Sequence, residues 1–371
     1  MPSPPPPPDW SGRLQRVRAR LDQDHLEALV VSAAPNLRYL TGFAGSAGLL
    51  VVSAASARLL VDGRYQARAR AAIEGGRMAD VTVEPVPQRY DLALGATLAR
   101  AAERRVGFEA ASVTVATAGA WARAAPDVNW VPTEGLVERL RAVKDAREID
   151  VLRRAAGLLS GVARSLREIV RAGHAEREVA RSIDQALDRA GFERPAFDTI
   201  VASGPHSAHP HATPGERRLA SGDLVVLDFG GVLDGYCVDL TRMAAIGVVE
   251  ARAAGLVDAV RAAQDAAIAA VSPGVAAADV DRAAREALEL RGLAGAFLHG
   301  TGHGLGLEVH EAPRLGPNAD RAEILQAGMV CTIEPGAYLE GLGGARIEDD
   351  VLVTTSGREL LTDAPRDLLV V

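Results

Sequence analysis

The sequence predicts an α/β (α+β) protein of two domains, a smaller N-terminal one and a larger C-terminal one. At 371 residues the chain is too long for one ordinary core. Apolar strand-like runs alternate with amphipathic helical stretches along most of it. From about Thr133, charge density rises through VERLRAVKDAREIDVLRRAA, which reads as the opening of a long helix and as the natural domain boundary. The expected divisions are a disordered proline-rich tail over residues 1–8, an N-terminal domain over 9–138 and a C-terminal domain over 139–371.

Taken in order, MPSPPPPPDW lacks the basic start and apolar stretch of a secretory signal, and its prolines favour an extended, solvated conformation. SGRLQRVRARLDQDHLEALVVSAAP reads as an N-capped amphipathic helix from about Ser11, then a strand over about Glu27 to Val31. GLLVVSAASARLLVDGRY predicts a hairpin, and DLALGATLARAAERRVGFEA a helix leading into a strand. Helices dominate from the boundary to about Ala190. Strand hairpins then alternate with two further helices, near 250–271 and 277–291.

With 48% hydrophobic and 24% charged residues, the composition is that of a soluble globular protein. A net charge of -7 offers no basic excess to displace phosphate counterions, which argues against a nucleic-acid partner. Lys144 is the only lysine, so a phosphate-binding Gly-Lys loop is excluded, and a Schiff base is excluded unless Lys144 forms it. Two cysteines, Cys237 and Cys331, make no disulfide framework, and no apolar run is long enough to span a bilayer. A cytoplasmic protein without membrane attachment is expected.

The chemistry-bearing signal begins at VVLDFGGVLDGYCVDLTR, residues 225–242, where two apolar runs each carry an aspartate, Asp228 and Asp239. A buried carboxylate is costly unless a cation meets it, and the only cation in this stretch is Arg242 at its far end. A hairpin turning at about Leu233 and Asp234 places Asp228 directly opposite Asp239, with Cβ atoms about 4.5 to 5.5 Å apart. A weak internal repeat extends the pattern. GDLVVLD (222–228) and GMVCTIE (328–334) share a glycine, an apolar run and an acid, and folding back about Gly341 sets Glu334 opposite Glu348. Taken singly, each acid reads first as a half-exposed strand residue or the partner of one of the many arginines.

The segment LHGTGHGLGLEVHE, 298–311, changes that balance. His299, His303 and His310 fall within twelve residues of a chain with eight histidines, and the interleaved glycines forbid a helix. An extended stretch directing histidines into a cleft is expected. DFG at 228–230 lacks the H-R-D loop and strand lysine of a kinase. A second cluster, GPHSAHPHATPG, places His206, His209 and His211 in a loop.

The order Asp228, Asp239, His303, Glu334 in IEPG and Glu348 in RIEDD resembles the metallopeptidases of the pita-bread fold, a group that includes methionine aminopeptidase, aminopeptidase P and prolidase. The resemblance runs from about residue 145 to the end. NLRYLTGFAGSAG and LLVDGRYQ look like the smaller domain of the prolidase and aminopeptidase P branch. It implies a creatinase/prolidase-like N-terminal domain followed by a pseudo-symmetric pita-bread catalytic domain. It further implies two divalent ions, Asp228 chelating one, His303 and Glu334 the other, with Asp239 and Glu348 bridging. Oxygen ligands outnumber the imidazole, which favours Mn²⁺ and leaves Co²⁺ or Zn²⁺ as substitutes. Thr241 is then placed to steady Asp239.

In the mechanism so implied, a water bridging the metals attacks the scissile carbonyl and Glu334 shuttles its proton. His310 donates to the oxyanion, His299 and His211 help bind substrate, and Arg346 orients Glu348 or a nearby histidine. The implied substrates are Xaa-Pro peptides of varied length for an aminopeptidase P or Xaa-Pro dipeptides for a prolidase, and the implied assembly is a homodimer. The competing readings are another hydrolase or lyase on the same scaffold, or a non-catalytic binding protein of this fold.

Overall fold

The computed structural model describes residues 8–371, so the expected tail lies outside it but for Pro8. The chain divides into two compact units, one ending at Arg141 and the other spanning Ala142–Val371. Both mix helices and sheets, as expected.

In the first unit the order is α1 (Trp10–Gln23), β1 (Ala28–Val31), α2 (Ala34–Thr41), β2 (Leu49–Ser53), β3 (Ala57–Val61), α3 (Gln66–Glu74), β4 (Thr82–Pro85), α4 (Tyr90–Ala101), β5 (Arg105–Glu109), α5 (Val115–Ala124), β6 (Asn129–Thr133) and α6 (Glu138–Ala142). The six strands form one sheet in the order β4-β3-β2-β1-β5-β6. The expected hairpin is the antiparallel pair β2–β3. The N-cap of α1 is Asp9 rather than a residue near Ser11, because its carboxylate accepts the Gly12 N–H at 2.9 Å and so satisfies an otherwise orphaned donor.

The expected long helix at the boundary is broken in two. After α6, Asp145 caps a new helix, α7 (Ala146–Arg164), through a reciprocal capping box with Glu148. The second unit continues through α8 (Leu166–Ile169), α9 (Glu176–Ala190), β7 (Arg194–Pro195), β8 (Ile200–Ser203), β9 (Leu224–Leu233), β10 (Tyr236–Ala245), α10 (Ala251–Ala270) and α11 (Ala277–Glu289). It closes with β11 (Gly302–Gly304), β12 (Glu311–Leu315), β13 (Val330–Ile333), β14 (Gly336–Leu339), β15 (Gly343–Arg346), β16 (Asp349–Thr354), β17 (Gly357–Leu360) and β18 (Leu369–Val370). One sheet runs β18-β10-β9-β7 with β8 also on β9; another runs β12-β11-β13-β16-β17; β14 and β15 form a separate ribbon. Helices followed by antiparallel strands thus occur twice in succession.

Strand β9 is buried on both faces. Its odd positions, Val225, Leu227 and Phe229, pack with Leu152, Leu159, Ile183 and Leu187 of α7 and α9. Leu224 and Val226 instead join the cluster that contains Val260, Val280, Ile333 and Val351 from the second half. Period-two alternation therefore sends Asp228 to the face opposite Phe229, toward the second half of the unit.

The β9–β10 register corrects the expected pairing. Asp234 and Gly235, both at positive φ, make the two-residue turn, so Leu233 pairs with Tyr236, Thr241 lies opposite Asp228, and Asp239 lies opposite Gly230. Asp-Gly is the pair best suited to a turn whose twist matches that of the flanking strands. The register is shifted by two residues, an even number. Asp228 and Asp239 are diagonal neighbours, still on one face.

Phe229 is fully buried between β9 and α7–α9. Phe229→Ala is expected to lower unfolding free energy by about 3 to 5 kcal/mol, read from the midpoint of a urea titration with unchanged slope.

Candidate metal centre

Asp228, Asp239, His303, Glu334 and Glu348 line one cavity of about 840 Å³, together with His211, His299, His310 and Arg346. The structure brings every side chain expected at the site to this cavity wall. Donor atoms of Asp239, His303 and Glu348 lie within 4.8 Å of one another.

Each is held from the backbone upward. Ile333 pairs with Asp349 and Gly336 with Arg346, so Glu334 and Glu348 occupy the break between two ladders that share one register, facing each other. The Glu334 N–H is fixed by the Thr301 carbonyl at 2.7 Å. His303 stands on β11, where glycines are required by close approach: a Cβ at Gly302 would strike the Thr332 carbonyl, and one at Gly304 the Ala312 carbonyl. The middle of the expected extended stretch is therefore a short strand, β11, wedged between β12 and β13, and it carries His303. The other histidine cluster is also more ordered than expected, since Gly204–Ala208 forms a 3-10 turn before His209 and His211.

Thr241 does not steady Asp239. It grips Glu348 at both ends, its hydroxyl donating to the carboxylate at 2.6 Å and its carbonyl accepting the Glu348 N–H at 3.2 Å. Facing Asp228 rather than Asp239, it reaches across to the second hairpin. Asp350 does what was expected of Thr241, accepting the Asp239 N–H at 3.2 Å. Its signal was alternation, since it shares a strand face with Glu348. Arg346 donates to Asp228 at 2.5 Å, to the Tyr338 hydroxyl at 2.8 Å and to the Thr241 hydroxyl at 3.3 Å, so it touches Asp228 directly and Glu348 only through Thr241. Tyr338 was not anticipated, although it falls on the same alternate positions as Glu334 and Gly336. Its hydroxyl also meets His299 Nε2 at 2.9 Å, while His299 Nδ1 faces the Gly300 carbonyl at 2.8 Å. Both ring nitrogens of His299 are thus engaged within the protein.

The other local charges are spent elsewhere. Arg242 pairs with Asp349 at 2.7 Å and never reaches Asp228 or Asp239. Lys144 is buried, with its ammonium 3.5 Å from Glu311 and outside the cavity wall, which leaves no basis for Schiff-base chemistry.

Electrostatics show what the site lacks. Burial, then the neighbouring charges of Glu348 and Asp228, push the Asp239 carboxyl well above its ordinary range. Burial together with Glu334 and Asp228 does the same to Glu348. Asp228 is raised by burial, which the charge of Arg346 opposes. For Glu334, burial is outweighed by the hydrogen bond and charge of His303, 3.3 Å away, and its carboxyl is held down at about 2. His303 is raised in turn, the hydrogen bond to Glu334 overcoming burial. Burial lowers His299, and burial with the charge of His303 lowers His310, so both are neutral at pH 7. Burial pushes the Tyr338 hydroxyl up to about 12, keeping it a donor.

Asp228 Oδ1 and Asp239 Oδ1 are buried without a hydrogen-bond partner among the described residues. Oxygen-rich donors, two orphaned lone-pair carriers and acids destabilised by mutual repulsion fit divalent cations of the hard, oxygen-seeking kind. Bound cations would replace the missing partners and remove the repulsion.

Residues 150–355 match the metallopeptidase family M24, and residues 13–143 match the creatinase/prolidase N-terminal domain. The chain is 34% identical to an uncharacterized peptidase of Bacillus subtilis over 96% of its own length and 99% of that protein. It is 30% identical to an Xaa-Pro dipeptidase of Pyrococcus horikoshii over 96% of this chain and 98% of the other. Among solved structures it resembles an Xaa-Pro dipeptidase from Bacillus anthracis, with TM-score 0.94, 31% identity and coverage of 98% of this chain and 100% of that one. It also resembles an X-Pro aminopeptidase from Thermotoga maritima, with TM-score 0.87, 31% identity and coverage of 97% and 100%.

A pH dependence follows. Groups with raised pKa values favour the folded state while protonated, and that contribution is lost as pH rises through their folded values. Glu334 acts oppositely, its contribution disappearing as pH falls toward about 2. The metal-free protein should therefore lose thermal stability as pH rises above the ordinary carboxylate range, and saturating divalent metal should restore it with release of protons. Scanning calorimetry with and without chelator, and titration calorimetry in two buffers, measure the two effects.

Proposed function

Because the chain belongs to metallopeptidase family M24 and carries the creatinase/prolidase N-terminal domain, it is a metal-dependent Xaa-Pro peptidase, and we propose that it is a dipeptidase using two Mn²⁺ ions. The observation that carries the two-ion reading is the convergence of three buried carboxylates, Asp228, Asp239 and Glu348, the partly buried Glu334 and one imidazole on a single cavity. Asp228, Asp239, His303, Glu334 and Glu348 would hold the ions. Bound there, the ions would acidify a water molecule and polarise the scissile carbonyl.

The protein's own groups do the rest. Glu334, ionised at neutral pH, takes the proton of the attacking water and passes it to the departing prolyl nitrogen, which leaves as a secondary amine. His310, neutral and on the cavity wall, donates a hydrogen bond to the carbonyl oxygen as negative charge gathers there. His211 lines the same wall and assists substrate binding. Arg346, paired with Asp228 at 2.5 Å, opposes the upward push of burial on that carboxyl and fixes its aim. A prolyl imide lacks the N–H through which other peptidases grip a peptide, so recognition must come from the ring and the two chain ends.

The preference for dipeptides rests on Arg314. It lies across from His303 in the β11–β12 ladder and lines the cavity, where its charge acts on Glu323 without a close ion pair. A dipeptide carries a free carboxylate immediately after the proline ring, and an uncommitted guanidinium is the group that would bind it. A longer peptide presents a neutral amide there. A homodimer in the cytoplasm is the setting that resemblance to the prolidase branch and the two unpaired, buried cysteines support.

With Mn²⁺ present, an Xaa-Pro dipeptide should be cleaved far faster than the corresponding Xaa-Pro-Pro tripeptide, and Arg314→Gln should raise KM for the dipeptide roughly ten- to hundredfold. Equal rates on both peptides would make the enzyme an aminopeptidase instead. Asp228→Ala should abolish turnover and lower bound metal by about one ion per chain, read by elemental analysis.

A further inference from the structure

Outside the cavity, helix α11 carries a buried acid and a partly buried arginine one turn apart, Asp281 and Arg285, paired at 2.7 Å. Such a pair commonly braces the helix surface, but this one also reaches the histidine segment. Asp281 accepts the Thr301 N–H at 3.0 Å and the Thr301 hydroxyl at 2.9 Å. Arg285 donates to the Phe297 carbonyl at 3.2 Å and to the His299 carbonyl at 2.5 Å. Its guanidinium lies over the Phe297 ring, 4.3 Å from the centroid, and that ring meets His299 edge-on at 5.1 Å. His299 is therefore held by Arg285 twice, through its main chain and through the aromatic ring beside it.

What His299 does next gives the pair its consequence. Its Nε2 accepts the Tyr338 hydroxyl, which itself accepts a hydrogen bond from Arg346, the residue bound to Asp228. We propose that the Asp281–Arg285 pair is a positioning device for His299, and through Tyr338 and Arg346 for Asp228, so that α11 sets the aim of a site residue it never touches. The proposal rests on the reading of Asp228 and His299 as parts of the active site. Lysine at 285 would keep the charge but lose the planar fork that binds two carbonyls while stacking on a ring. A displacement of about 1 Å at a reacting group is enough to cost up to about a hundredfold in rate.

The test is a double-mutant cycle on kcat/KM for an Xaa-Pro dipeptide, using Arg285→Lys, His299→Ala and the combination. Arg285→Lys should lower kcat/KM about tenfold in the wild-type background and less than twofold once His299 is alanine. Equal losses in both backgrounds would overturn the device while leaving the site intact. A wild-type value for His299→Ala would instead remove His299 from the site, and the premise with it. The same cycle with Asp281→Asn, which keeps the side-chain shape but not the partner charge of Arg285, reads the proposal independently. In the metal-free protein, the His299 imidazole proton resonances should shift in Arg285→Lys while those of the exposed His174 stay in place; unmoved His299 signals would sink the idea without any assay of turnover.

Discussion

Mutual repulsion among buried acids is the constraint around which the second unit is organised. Asp228, Asp239, Glu334 and Glu348 share one cavity wall, and Arg346 is the guanidinium bound directly to one of them. One cation cannot neutralise four acids in a poorly screened interior. The fold supplies a rigid frame that prevents the acids from turning away: two buried strands behind Asp228 and Asp239, and a ladder of continuous register around Glu334 and Glu348. Rigidity and unmet charge together leave acids that either take up protons or are met by bound cations.

Much of this was legible in the chain because the two signals involved are local. Acids inside apolar runs, and histidines among glycines, mark positions where burial and polarity conflict, and such conflicts concentrate at functional sites. The helices flanking the hairpins were legible for the same local reason. Less readable was anything set by which residue meets which across the fold. The two-residue shift in β9–β10 followed from choosing a turn centre one position early, yet alternation protected the conclusion because an even shift preserves the face. Sequence proximity places Thr241 beside Asp239, whereas its hydroxyl reaches an acid over a hundred positions away. Tyr338 and Arg285 sit in no motif, and Asp350, although it closes RIEDD, takes its importance from a partner on a distant strand.

The contrast between Asp349 and Glu348 shows how one residue of register separates structure from chemistry. Asp349 points to the helix side, where Arg242, Gln264 and Thr362 saturate it with hydrogen bonds at 2.7 to 2.9 Å. Glu348 points the other way and receives the Thr241 hydroxyl alone from among these surroundings. Adjacent acids on one strand thus serve opposite ends, the first as a well-partnered rivet between sheet and helix, the second as part of the unsatisfied set.

Because the acids come from two hairpins separated by helices α10 and α11 and strands β11 and β12, no single hairpin contains a complete set. A chain still emerging from the ribosome cannot assemble the cavity until residue 348 has been delivered and the second sheet has closed on the first. The hydrolytic site is thus a late product of folding, complete only when both hairpins are in place.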